Sequence, residues 1–304
     1  MTYQFEQVDV FTTQRFAGNP LAVFTDAAGL TREQMQLIAR EMNLSETTFV
    51  VPTTRADCVA RYHIFTPGQE MPFAGHPTLG TAYVLARGGR VPNAARSFQL
   101  EAKVGPVAVR IEEKRAGTPS MLFFTSPEVV FGPTYDDRAR IAEALNLGES
   151  DLLPKAPVEQ AGCPVLYLYV GVKTAQHVDQ VMLNSLVYSR LLGNAAPDAV
   201  YVFAPSGTAN RFYARMLCLE KTGLVEDPAT GSAASPLGAY LVRHRLISGE
   251  DEVEIVIEQG VKMGRRSLLT VRVARSGQAV RRIEVGGSVV PVLKGQLSLE
   301  EAGH

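Results

Sequence analysis

Apolar residues alternate with polar ones, or cluster in short runs, along most of this chain. Examples are "FEQVDVF" from Phe5, "LAVFT" from Leu21, "TTFVVP" from Thr47, "CVARYHIF" from Cys58, "VAVRIEE" from Val107 and "SMLFFT" from Ser120. The later part continues with "VLYLYVGV" from Val165, "AVYVFAP" from Ala199, "FYARMLCL" from Phe212, "EVEIVIEQG" from Glu252 and "LLTVRV" from Leu268. Period-two alternation marks strands with one buried face, and uninterrupted apolar runs mark strands covered on both. Helical spacing is rarer. "TREQMQLIAREMN" opens with a capping-box pair, Thr31 and Gln34, and gathers Met35, Leu37, Ile38 and Met42 towards one face. Further helices are predicted over 136–146 and 177–192. Many strands interrupted by a few helices indicate an α+β fold and argue against regular βαβ alternation.

Two further segments are apolar or small on every side. "PFAGHPTLGTAYVL" (72–85), shifted by 156 positions, falls on "PATGSAASPLGAYL" (228–241), aligning Pro72 with Pro228, Gly75 with Gly231 and His76 with Ser232. An Ala-Arg pair precedes each copy, Ala60-Arg61 and Ala214-Arg215, and "GNPLAV" (18–23) is echoed by "GCPVLY" (162–167). A helix without a polar face has to be enclosed, because exposure would leave its apolar surface in water. Each copy therefore reads as a central helix wrapped by strands, and the chain as two pseudo-symmetric lobes: residues 1–128 and 129–304, with the last strand able to return to the first lobe. Gly80 and Gly238 cost about 1 kcal/mol each against alanine within a helix, which points to close neighbours. Pro77 and Pro236 are expected in the first turns, where proline is tolerated.

The chain's 304 residues, about twice a common domain length, agree with two lobes. A net charge of −1 without clustered Lys or Arg argues against a nucleic-acid surface. No window approaches the roughly 20 apolar residues that span a bilayer, and the opening residues carry no basic region ahead of an apolar one. A cytoplasmic protein without membrane contact is expected. Three cysteines, Cys58, Cys163 and Cys218, lack CxxC spacing, and the histidines lack ligand spacing, so neither a disulfide framework nor a metal is expected.

Helix starts present backbone N–H groups without intrahelical partners and about half a unit of positive charge, a natural hold for a carboxylate or developing oxyanion. Gly75 and Gly231 mark two such starts facing a common cleft, or merely allow the chain to turn. His76 is either a general acid or base or a satisfied core residue. Asp227 precedes a proline and reads as a turn opener or as a site carboxylate. Ser232 caps its helix or meets a ligand. Glu46, entering an apolar strand in "NLSETTFV", is costly there unless paired or functional.

Taken together, "FAGNPLAVF", "NLSETTFV", "FTPGQEMPFAGHPTLGTA", "EDPATGSA" and "EQGVKMGR" resemble the PhzF-like (phenazine biosynthesis PhzC/PhzF) family of the diaminopimelate epimerase-like superfold, over residues 4 to 295. The resemblance implies two lobes, each a mostly antiparallel sheet rolled around a central helix, with the active site between them. It implies a cofactor-independent isomerase, assembled as a homodimer, that shuttles a proton on a small carboxylate such as trans-2,3-dihydro-3-hydroxyanthranilate. Glu46 would be the shuttle, His76 and Asp227 would complete the catalytic set, and Gly75, Gly231 and Ser232 would bind substrate. Two alternatives stay open: a small-anion binding protein without turnover, and an amino-acid epimerase or racemase working without cysteines.

Overall fold

The computed structural model describes residues 1–115, 118–193, 197–219, 225–249 and 251–299, with side chains for all of these except residues 113–119. Contacts divide the polypeptide into two units, one from Met1–Thr125 together with the described residues from Gly286 onward, the other Ser126–Val285.

In the first unit the strand Thr2–Val10 lies antiparallel between Asn19–Phe24 and Val289–Ser298. The chain's last described strand thus joins its first. Asn19–Phe24 then runs parallel to Glu46–Val51, which is antiparallel to Arg61–Phe65. Arg61 pairs parallel with Glu101 of Ser97–Ala102, which turns back into Gly105–Arg115. The second unit repeats this sequence of partners. Leu166–Gly171 is parallel to Ala199–Pro205, which is antiparallel to Arg211–Cys218, parallel in turn to Glu252–Gln259, antiparallel to Ser267–Ser276. The same alternation of parallel and antiparallel neighbours in both units gives the sequence repeat a physical form.

Each unit encloses one helix. Gly75–Arg87 is buried from Gly75 to Leu85, and Gly231–Arg243 from Gly231 to Val242, as their lack of a polar face requires. A Cβ on Gly80 would stand 2.5 Å from Leu21 Cδ2 and 3.1 Å from Val10 Cγ2, whereas one on Gly238 would meet Val271 and Val273 at 3.0 and 3.1 Å. The glycines let strand side chains close on the helix axis. On the far side of the first sheet, Arg32–Met42 contributes Met35, Ile38 and Ala39 to a cluster with Phe24, Phe49 and Phe65. Its capping box forms as the sequence predicts, with Gln34 N held by Thr31 Oγ1 and Thr31 N by Gln34 Oε1. Leu37 is 60% exposed instead, because two residues beyond Met35 is about 200° around the helix.

Other differences have local causes. The helix expected over 177–192 is two, Ala175–Gln180 and Ser185–Leu192, the second restarted by Asn184, whose side chain caps Val187 N. Pro236 is the sixth residue of its helix, beyond the first turn. Proline there offers no N–H to the Ser232 carbonyl four residues earlier, and the Cys163 thiol donates to that oxygen at 3.6 Å. The strands Ala279–Gly287 and Val289–Ser298 escaped the apolar pattern. The first starts exposed and charged, and the second contains Pro291, accommodated where the register shifts between Gln7 and Val8. Among the described residues no helix is long and apolar enough to cross a membrane.

Candidate active site

Glu46 opens the strand Glu46–Val51 opposite Leu21, and His76 is the second residue of the central helix of the same unit. These elements bring Glu46 Oε2 and His76 Nε2 to 3.3 Å, with the histidine 3% and the glutamate 13% exposed. The other imidazole nitrogen is engaged as well: Asn19 Nδ2 donates to His76 Nδ1 at 3.0 Å. Accepting at Nδ1 leaves the neutral ring's proton on Nε2, beside the Glu46 carboxylate but outside hydrogen-bond geometry with Oε2. Burial pulls the His76 pKa down to about 3, so the ring stays neutral at ordinary pH. Gly75 begins this helix after Ala74, and no side chain caps it. The entry is braced from inside by Thr78 Oγ1, which donates to Ala74 O and meets Tyr62 Oη, both at 2.7 Å.

In the second unit Asp227 ends a two-residue strand paired with Met216 and Leu217. It is 5% exposed and accepts a 2.6 Å hydrogen bond at Oδ2 from Thr230 Oγ1. Thr230 is the N-cap of Gly231–Arg243, yet with its hydroxyl turned to Asp227 it leaves the helix start without a side-chain cap. Ser232 is not the cap. Its hydroxyl sits 2.8 Å from Tyr167 Oη, at the second residue of the helix that the repeat predicts. Gln259, fully buried at the end of Glu252–Gln259, contacts both Asp227 and Thr230.

Within each unit, then, the residues singled out in the sequence gather: Glu46 with Gly75 and His76, and Asp227 with Gly231 and Ser232. Asn19, Thr230, Tyr167 and Gln259 were not singled out, although Asn19 lies in "FAGNPLAVF" and Gln259 in "EQGVKMGR". An amide that serves by fixing another side chain carries no chemical signature of its own in a sequence. The three cysteines are buried thiols, and among the described residues no group of three His, Cys, Asp or Glu side chains is arranged to hold a metal ion. A groove of about 550 Å³ on the second unit, lined partly by Phe131, Arg243 and Arg282, shares no residue with either cluster.

The model of the phenazine biosynthesis-like protein family matches residues 8–295. The chain belongs to that family. The trans-2,3-dihydro-3-hydroxyanthranilate isomerase of Pseudomonas fluorescens is 37% identical over 294 residues, covering 96% of this chain and 98% of that one. A PhzF-family phenazine biosynthesis protein from Bacillus anthracis superimposes with a TM-score of 0.87 at 26% identity, over 98% of this chain and all of that one. A hydroxyproline epimerase from Agrobacterium vitis shares the fold alone, with a TM-score of 0.68 at 12% identity over 99% and 94% of the two chains. The α+β, sheet-rich architecture is the diaminopimelate epimerase-like one. Family membership makes the chain an enzyme of the isomerase class.

Proposed function

We propose that the protein isomerises a small cyclic carboxylate by moving one proton between carbons, with Glu46 as the group that carries it. The observation that bears most on this is the Asn19–His76–Glu46 arrangement, a buried neutral imidazole held by an amide on its far side and lying 3.3 Å from a nearly buried carboxylate. The Glu46 carboxylate takes a proton from a carbon acidified by conjugation, and the C–H electron pair shifts into a new double bond as the neighbouring one migrates. Glu46, now protonated, returns the proton to the carbon at the far end of the conjugated system. The electron pair stays within the substrate and the proton passes through the Glu46 carboxyl, which exchanges with solvent, so the step requires no redox carrier and no metal.

His76 acts on Glu46 and does not itself carry the proton, since a ring held neutral by burial is a poor base. The neutral ring, 3.3 Å from the carboxylate, shields it from water without adding a charge of its own. The backbone N–H groups at the uncapped start Gly75 are donors suited to a carboxylate and the charge that develops on it, and those at Gly231, with the Ser232 hydroxyl, are donors of the same kind in the second unit. Asp227 serves as a fixed acceptor for a donor group on the substrate.

The relatives at 37% identity make trans-2,3-dihydro-3-hydroxyanthranilate the first substrate to test. With it in D2O, wild-type protein should incorporate solvent deuterium at carbon and form the isomer. Glu46→Gln keeps the shape, removes the base, and should lower both by about 10²- to 10⁴-fold. Exchange at the wild-type rate in the variant would refute the assignment of Glu46, and binding by the wild type without exchange would favour an anion-binding protein.

A further inference from the structure

Gln259 is a side chain whose orientation is not a matter of choice. Its Oε1 faces Thr230 N at 3.2 Å, and a backbone N–H can only donate. Its Nε2 faces the Asp227 carbonyl at 2.8 Å, and a carbonyl can only accept. Two obligatory partners on opposite sides therefore fix the amide, and Tyr201 Oη completes the oxygen's set by donating at 2.9 Å. The second Nε2 hydrogen then points to Thr230 Oγ1 at 3.0 Å. A hydroxyl that accepts from an N–H at that position has its own proton available in the other direction, where Asp227 Oδ2 stands 2.6 Å away. The chain is polarised along its length, from Gln259 through Thr230 to Asp227.

We propose that Gln259 is a positioning residue that, by orienting the Thr230 hydroxyl, holds Asp227 as a hydrogen-bond acceptor and keeps the start of the Gly231–Arg243 helix clear of its own cap. The hydroxyl that would ordinarily cap the helix is spent on the carboxylate. The functional weight of this arrangement rests on the reading that Asp227 and that helix start handle the substrate; the arrangement itself does not.

The groups that face Asp227 from the elements around it leave the chain's polarity intact. Tyr167 and Tyr201, on neighbouring strands, both lie close enough to interact with the carboxylate, and burial raises both phenols well above their usual range, so neither ionises. Tyr201 is engaged with Gln259, and Tyr167 with Ser232. Met216 is the cross-strand partner of Asp227. Cys218 lies on the same strand as Met216, close enough to interact with Tyr167. The adjacent Glu226 is held by Arg215 in a two-pronged pair at 2.9 and 2.8 Å.

The test reads the carboxyl directly. Full-length protein labelled with [γ-13C]aspartate is titrated by NMR, the Asp227 signal being assigned by its loss in Asp227→Asn. Thr230→Val removes the donor, and Gln259→Glu replaces the amide with a group that competes for the hydroxyl proton. Each should titrate Asp227 about one pH unit or more above wild type, since a lost donor favours the protonated acid. Thr230→Ser, which keeps the hydroxyl, should follow the wild-type curve. Superimposed curves for wild type, Thr230→Val and Gln259→Glu would overturn the proposal, whatever happens to melting temperature. Turnover by Asp227→Asn at the wild-type rate would instead overturn the catalytic reading of Asp227 and leave the titration to decide the relay separately.

Discussion

The central helices of the two units begin alike and are furnished differently. Each starts at a glycine without a side-chain cap and stays buried for most of its length. At the first, the second helical residue is His76, fixed by Asn19 and lying 3.3 Å from Glu46. At the second it is Ser232, which meets a tyrosine, while the nearby carboxylate is held by a threonine that in turn accepts from a glutamine. One pattern of strand pairing occurs in both units. What differs is whether the polar group beside the helix start is left beside a neutral imidazole or is tied into a saturated hydrogen-bond chain. On the reading proposed above, the first arrangement serves proton transfer and the second serves holding.

That contrast is sharpest in turnover. Ser232→Ala should reduce kcat/KM by about tenfold, the order of one lost hydrogen bond, against the far larger loss from Glu46→Gln. Equal losses in the two variants would erase the division of labour.

Stability offers a second comparison through Glu70 and Glu226, which the 156-residue shift places in register. Glu226 pairs with Arg215, whose Nη1 also reaches the carbonyls of Val178 and Val181 at 3.1 and 3.0 Å, and both side chains of the pair are nearly buried. Glu70 instead shares itself among His63, Arg32 and Lys103, the last two more than half exposed. Glu226→Gln should therefore cost about 3 kcal/mol, the penalty for stranding a buried charge, and Glu70→Gln about 1 kcal/mol. Urea unfolding of both variants measures the difference, and a larger loss at Glu70 would contradict this account.

Acid should separate the units next. The His76 pKa falls from 6.5 in the unfolded chain to about 3 in the fold. The unfolded state thus binds more protons between these values, and stability present above about pH 6.5 is lost as pH falls, by about 1.4 kcal/mol per unit. His76→Asn should flatten that slope by the same amount in unfolding curves taken from pH 7 to 4. Ser232, its counterpart, cannot titrate, so Ser232→Ala should leave the slope unchanged.

The smallest effect concerns the helix glycines. Alanine gains about 1 kcal/mol of helix propensity at either position, but at Gly80 its Cβ would press into fully buried Leu21, while at Gly238 it finds contacts of 3.0 Å or more. Gly80→Ala should be net destabilising by about 1 kcal/mol and Gly238→Ala close to neutral, measured side by side by thermal unfolding.

Much of this architecture was legible in one dimension. The apolar runs, the capping box at Thr31 and the two helices without a polar face depend on periodicity and on the cost of wetting apolar surface, both properties of neighbours along the chain. Glu46 stood out because a carboxylate entering an apolar strand is expensive, His76 because an imidazole titrates near neutrality, and Asp227 because it precedes a proline beside a helix start. The partners of those groups were not legible. Asn19 reaches His76 across 57 residues, and Gln259 reaches Thr230 across 29. Nor could the pattern show that Pro236 would fall past the first turn with a cysteine thiol answering the carbonyl it deprives, or that charged Ala279–Gly287 would be a strand. Local sequence sets which segments must hide and which residues are costly to hide. The direction of a hydrogen bond, and therefore which atom keeps its proton, is decided only when folding sets donors and acceptors from distant segments against one another.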